Sequence, residues 1–459
     1  MTETFPGVIT FAFMASMILI GVLLRARIPF LQRNLVPASL IGGAVGFALV
    51  SSGLSFDFKS ADFTPFAFHF FTLSFMSLVL TGKNSTGKNR DQIRPHSVVP
   101  GGLWISVVWV MSLVMQAMLG LGVIVIYNEV SGNDLSYFLG LIATHGFTQG
   151  PGQAIALGNI WENELGISHA LNFGLIYASV GFLAAFVVGV PMARYAIRAG
   201  LNFNKAARID DEFLRGILTS DVSAGKQVTH SANVDSLAFH LAILAMAYVI
   251  TDQYLKFIFP YANATTIGGV NFGIIFSHNL FFLHGLIICV ILRALMDKFG
   301  FGHFIDNETQ HRITGTSVDF MVVATLMSVQ VAFLTEFIVP VLLVCIVITL
   351  ATAALCFGFG RHLRSFGIER AITAFGCCCG STGSGLLLLR ILDPDMSTPV
   401  AKELAFFNIA IIFLAFHVLT LMAPILPSYD LLTICSVYIG TFIVGGVALT
   451  VFKGSVGTT

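Results

Sequence analysis

Thr144, His145, Thr148, Gln149 and Gln153 crowd into THGFTQGPGQ (144–153), between the apolar run LSYFLGLIA and the next apolar span. Hydroxyls and amides orient a ligand without the desolvation cost of a full charge. A helix cannot pass through Gly150-Pro151-Gly152, because proline has no amide donor and glycine costs backbone entropy. Unpaired carbonyls ahead of such a break suit a hard cation, and the helix N-terminus behind it suits an anion. FGCCCGSTGSGLLLLRILD (375–393) repeats the pattern far downstream, with Gly380, Ser381, Thr382 and Ser384 at its break. The chemistry indicated is the paired binding of a small anion and a cation.

On this reading His145, Thr148, Gln149, Gln153, Ser381, Thr382, Ser384 and Asn408 are the candidate substrate-binding residues. Thr144, Asp319, Asn279 and Gly380 are the candidate oxygen ligands for a hard cation such as sodium (Na+). Polar groups at membrane depth are costly and point to function. His240, His284 and His417 are expected to be packing histidines, and Arg390 to reach the inner surface.

The elements that must position these residues are membrane spans. The chain is 56% apolar and 10% charged, against about 25% charged in soluble domains. Each flank of a break is about ten residues, or roughly 15 Å of helix, half of a bilayer core of about 30 Å. Residues 135–160 and 371–393 therefore read as re-entrant hairpins, whose unwound tips are tolerated where protein or a watery cavity covers them.

Apolar segments fall at 8–24, 35–52, 63–81, 98–127 and 168–193, then at 236–258, 272–296, 316–335, 337–359 and 400–427, with 431–452 left over. The expected fold is an all-α polytopic membrane protein of two inverted five-span repeats, each with a hairpin, plus one extra C-terminal span. Its parts are 1–193, a cytoplasmic linker 194–235, 236–427, and 428–459. Charge agrees. With the N-terminus outside and the C-terminus inside, 22 of the 24 Lys and Arg fall in cytoplasmic segments, leaving Lys59 and Lys256 outside. Met1–Pro6 has no basic region of the kind that opens a cleavable signal.

Other motifs add little. Gly82–Asn89 approaches a phosphate-binding loop, but Asn89 stands where the magnesium-binding hydroxyl belongs. Net charge is zero, and no feature calls for nucleic acid as a partner. Neither H-E-x-x-H nor G-x-S-x-G occurs, so the chain is not read as an enzyme. Cys377-Cys378-Cys379 lacks ligand spacing and reads as small packing residues.

FLQRNLVPASLIGG (30–43), His145-Gly146, VGVPMARY (188–195) and FGCCCGSTGSG (375–385) together make the chain resemble the bacterial sodium/glutamate symporter family. The likeness spans most of residues 8–427. It implies two inverted five-span halves, a homodimer in the bacterial inner (plasma) membrane, an elevator-type mechanism, and import of glutamate with sodium. Both loops depart from the family pattern: GFTQGPGQ follows His145, and Ser381 to Ser384 replace a Gly-Ala-Thr-Pro-Thr pattern. The expected partners are a glutamate-like small molecule and the lipid bilayer. Proton coupling through His145 or Asp319 to another organic anion, or a passive channel, stays open as an alternative.

Overall fold

The computed structural model describes residues 5–54, 57–81, 98–205, 214–216, 225–230, 232–267, 270–394 and 396–452. The loop 82–89, much of the linker 194–235 and the tail from 453 lie outside them.

The first half runs through α1 (Pro6–Arg27), α2 (Pro29–Arg33), α3 (Ala38–Ser51), α4 (Thr64–Leu80) and α5 (Val98–Ser131). It continues with α6 (Phe138–Leu141), α7 (Ala143–Phe147), α8 (Pro151–Asn163) and α9 (Ala170–Arg198). The second holds α10 (Ser236–Asn263), α11 (Phe281–Lys298), α12 (Asn307–Met327) and α13 (Val331–Gly360). It ends with α14 (Gly367–Cys379), α15 (Thr382–Leu392), α16 (Val400–Leu414) and α17 (Leu431–Phe452). A two-residue antiparallel ribbon, Thr266–Ile267 with Val270–Asn271, interrupts the helical architecture.

Among the described residues eight helices are long and apolar enough to cross a membrane, or nine with α16 and its bent continuation His417–Ser428. α3 has 14 residues, about 21 Å of helix, and α12 opens on the polar NETQHR. Both gain their apolar surroundings from protein, since α12 packs along α4 and α3, and α3 along α1. Burial separates the centre from the rim: 78% of the apolar stretch of α9 is buried, but 11% of that of α17.

One span boundary differs from the sequence expectation. The break expected between 335 and 337 occurs earlier, at Ser328–Gln330, where the Ser328 hydroxyl donates back to the Ala324 carbonyl at 2.7 Å. Residue 336 lies instead in a kink of α13, beside the non-helical Phe337, because Pro340 has no amide for the carbonyl four residues earlier.

Of the three histidines expected to pack, His240 and His284 are buried, whereas His417 lies exposed where the chain bends after α16. The Nε2 of His240 accepts from the Asp306 amide at 2.8 Å, that of His284 meets the Ile275 carbonyl at 2.9 Å, and that of His417 meets Thr441 Oγ1 at 3.1 Å.

Candidate functional site

Both breaks form where the sequence places them. After Phe147 the chain unwinds through Thr148-Gln149-Gly150, and α8 restarts on Pro151. Gly150 has φ +81°, a conformation that only glycine takes cheaply, and proline at the first helical position sacrifices no bond. In the second break α14 ends at Cys379, and Ser381 caps α15 by accepting from the Ser384 amide at 3.4 Å.

The tips touch, although 230 residues separate them in sequence. A Cβ on Gly150 would lie 3.3 Å from the Gly380 carbonyl oxygen. Thr148 Oγ1 stands 2.6 Å from Gln116 Oε1 and 3.0 Å from the Cys378 carbonyl. Gln116, fully buried on α5, presents Nε2 to that same carbonyl at 3.0 Å, to Thr352 Oγ1 at 3.0 Å and to Ser112 Oγ at 3.1 Å. One amide thus joins both breaks to α5 and α13.

α9 supplies the wall behind them. Gly181 lets α9 lie against both tips, since a Cβ there would be 2.7 Å from the Cys379 carbonyl and 3.1 Å from that of Phe147. On the opposite side the Phe71 ring of α4 covers Gly152 so closely that any side chain would overlap it.

The two breaks open on one cavity of about 100 Å³, lined by Thr148, Gln149 and Gln153 from the first and Ser381 and Thr382 from the second. Five of the eight expected substrate residues therefore share one space. The other three are offset from it. His145 is fully buried, 3.4 Å from Gln149 Oε1 through Nδ1 and edge-on to Trp161. Ser384 leans on Gly380, while Asn408 accepts from the Thr382 hydroxyl at 2.8 Å.

The four expected sodium ligands divide. Thr144 and Gly380 belong to the breaks, and the buried Thr144 hydroxyl has no hydrogen-bond partner in the protein. Asp319 lies apart in the middle of α12, interacting with Ser39 of α3. Asn279 lies in the short turn His278–Leu280 against α8, where Leu280 rather than Asn279 lines the cavity.

Buried polar atoms are nearly always paired, yet His145 Nε2, Gln149 Nε2, Gln153 Oε1 and the Tyr177 hydroxyl join Thr144 without a partner. These five lie on the first interrupted element or on α9, which packs against it, while the remaining four among the described residues, on Ser51, Gln310, Thr373 and Tyr438, are spread over other helices.

Sequence reading overlooked Gln116, Thr352 and Tyr177. It also overlooked Arg370, whose guanidinium forms a buried two-pronged pair with Glu403, Nε to Oε2 at 2.7 Å and Nη2 to Oε1 at 2.6 Å. Gln116 did carry a signal, as the one amide inside the apolar stretch 98–127.

Apolar helices of this number and length define a multi-pass membrane protein. The chain belongs to the sodium/glutamate symporter family, whose model it matches over residues 4–386, a range that contains both breaks. The family is one of transporters rather than enzymes. Comparison with curated proteins found no match.

Proposed function

We propose that the chain is a secondary active transporter, importing glutamate or a similar small carboxylate or amino acid together with sodium across the bacterial inner membrane. The observation that carries this reading is the meeting of two interrupted helices from opposite halves around one cavity, lined by polar residues of both breaks and by aromatic rings, in a member of a sodium-coupled family. Interrupted helices at matching positions of two halves are where secondary transporters hold substrate and ion.

Helix pairing supports two inverted repeats, 1–193 and 236–427, with 194–235 linking them and 428–459 added. A two-fold axis relating the halves makes α4 equivalent to α12, α3 to α11 and α5 to α13. Such an axis carries the α3–α12 contact into α4–α11, and maps an α4–α12 or an α5–α13 contact onto itself. All four contacts occur. The full plan counts α3 and α12 as crossings, giving eleven spans with the N-terminus outside. The two re-entrant hairpins, joined through Gln116, travel as one elevator-type body within a homodimer.

Substrate carboxylate sits at the N-termini of α8 and α15, oriented by Thr148, Gln149, Gln153, Ser381 and Thr382. Sodium takes the Thr144 hydroxyl and carbonyls at the breaks, including that of Gly380. An anion entering a negative-inside cell is opposed by about 2.3 kcal/mol per charge per 100 mV, so one sodium only cancels its charge. The remaining drive comes from the sodium concentration gradient or a second ion.

Proteoliposomes loaded without sodium and diluted into sodium buffer should accumulate labelled substrate above the outside concentration. By linkage, sodium should lower the apparent substrate constant, and substrate should tighten sodium by the same factor. Accumulation that ignores the sodium gradient and requires a proton gradient would replace sodium coupling with the proton alternative.

A further inference from the structure

From the walls of the cavity we infer that, within the transport reading above on which this rests, the site takes an amino acid with an apolar side chain in preference to a dicarboxylate. Six aromatic rings surround it: Phe71, Phe75, Trp109, Phe282, Phe407 and Phe416. Among the described residues, none of those lining it carries a formal charge. The buried guanidinium of Arg370, at the far end of α14 from the break, is spent on Glu403 and on the Ser365 carbonyl at 2.9 Å.

One carboxylate is well served here. Two helices of 13 and 11 residues begin beside the cavity, with Gln149 and Gln153 at the first N-terminus and Ser381 and Thr382 at the second. Their free amides and aligned dipoles favour a single anion. Gln149, 7% exposed, has an unpartnered Nε2 for that carboxylate, and Gln153 has an unpartnered Oε1 for an ammonium. A donor and an acceptor on either side of the break match the two charged groups of an amino acid.

A second carboxylate on the side chain would instead face aromatic rings. An ionised carboxyl buried without a partner is strongly disfavoured, whereas methylenes against those rings are favoured.

The test uses the full chain in proteoliposomes with an inward sodium gradient. Uptake of labelled norvaline and labelled glutamate is competed with norvaline, leucine, methionine, aspartate and glutamate. Thermal unfolding of the detergent-purified protein with sodium and each ligand gives a second readout, since a ligand of the native state raises the transition. The apolar amino acids should compete at concentrations at least about a hundredfold below glutamate, the scale on which unpaired polar groups are rejected. Phe416→Lys, at a ring already 47% exposed, should narrow that ratio by admitting a cation. Glutamate competing as well as norvaline would overturn this inference and leave sodium-coupled transport standing. Sodium-dependent uptake and stabilisation by neither class, from protein that still unfolds in one sharp transition, would overturn both.

Discussion

Gln116 is the side chain through which both breaks are tied to the rest of the molecule, and a double-mutant cycle with Thr148 measures that tie. Gln116→Leu keeps the volume and removes an amide engaged with Ser112, Thr148, Thr352 and Cys378. Polar bonds between membrane helices average about 0.6 kcal/mol and reach about 1.7 kcal/mol, because the unfolded chain in lipid also finds partners. Thr148 keeps the Cys378 carbonyl, 3.0 Å away, as a second acceptor. The expected loss on Gln116→Leu is therefore about 1–2 kcal/mol, below a naive count of its bonds. Thr148→Val alone should cost about 1 kcal/mol. The Gln116–Thr148 bond is short at 2.6 Å, so the double variant should be less destabilised than the two losses together by about 0.6–1.7 kcal/mol. Equilibrium unfolding in mixed micelles gives all four stabilities, and vesicle uptake reports whether joint movement of the breaks survives. Additivity within about 0.3 kcal/mol would show that Gln116 and Thr148 are neighbours without being coupled.

Three further outcomes are expected. Reporter fusions after Val130 and Ala262 should read outside, and those after Arg90 and Lys226 inside; a cytoplasmic signal at Ala262 would break the inverted-repeat plan. Gly181→Val drives a side chain onto the carbonyls of Cys379 and Phe147, backbone that cannot yield cheaply, so it should cost about 1–3 kcal/mol and abolish uptake while membrane insertion persists. Wild-type uptake by that variant would separate α9 from the working of the breaks. Arg370→Met should cost about 3–5 kcal/mol by stranding the fully buried Glu403, and adding Glu403→Met should recover most of it. Equal losses for the single and double variants in thermal unfolding would refute that account.

Much of the framework is legible along the chain, because hydropathy, helix breakers and charge are local properties. The 34-residue apolar helix α5, the glycine-proline step at 150–151 and the Ser381 cap all lie within a few residues of where composition puts them. The exceptions are also local in cause. Glu336 looks like a boundary because it is charged, but the helix end belongs to Ser328–Gln330, and Pro340 leaves only a kink nearby.

The site behaves differently. Hydroxyls and amides at Thr148, Gln149, Gln153, Ser381 and Thr382 stand out as polar residues in apolar surroundings. That they share one cavity, while Ser384 and Asn408 buttress it and Asp319 lies apart in α12, depends on where crossing helices place them. Gln116 reads in sequence as one polar residue in a long span, yet it bonds a carbonyl 262 positions away. The aromatic walls come from α4, α5, the start of α11, and α16 with its continuation, separate stretches whose convergence no local pattern encodes. An apolar residue on a helix faces lipid or a ligand at the same cost in hydropathy. Only its neighbours in space distinguish the two.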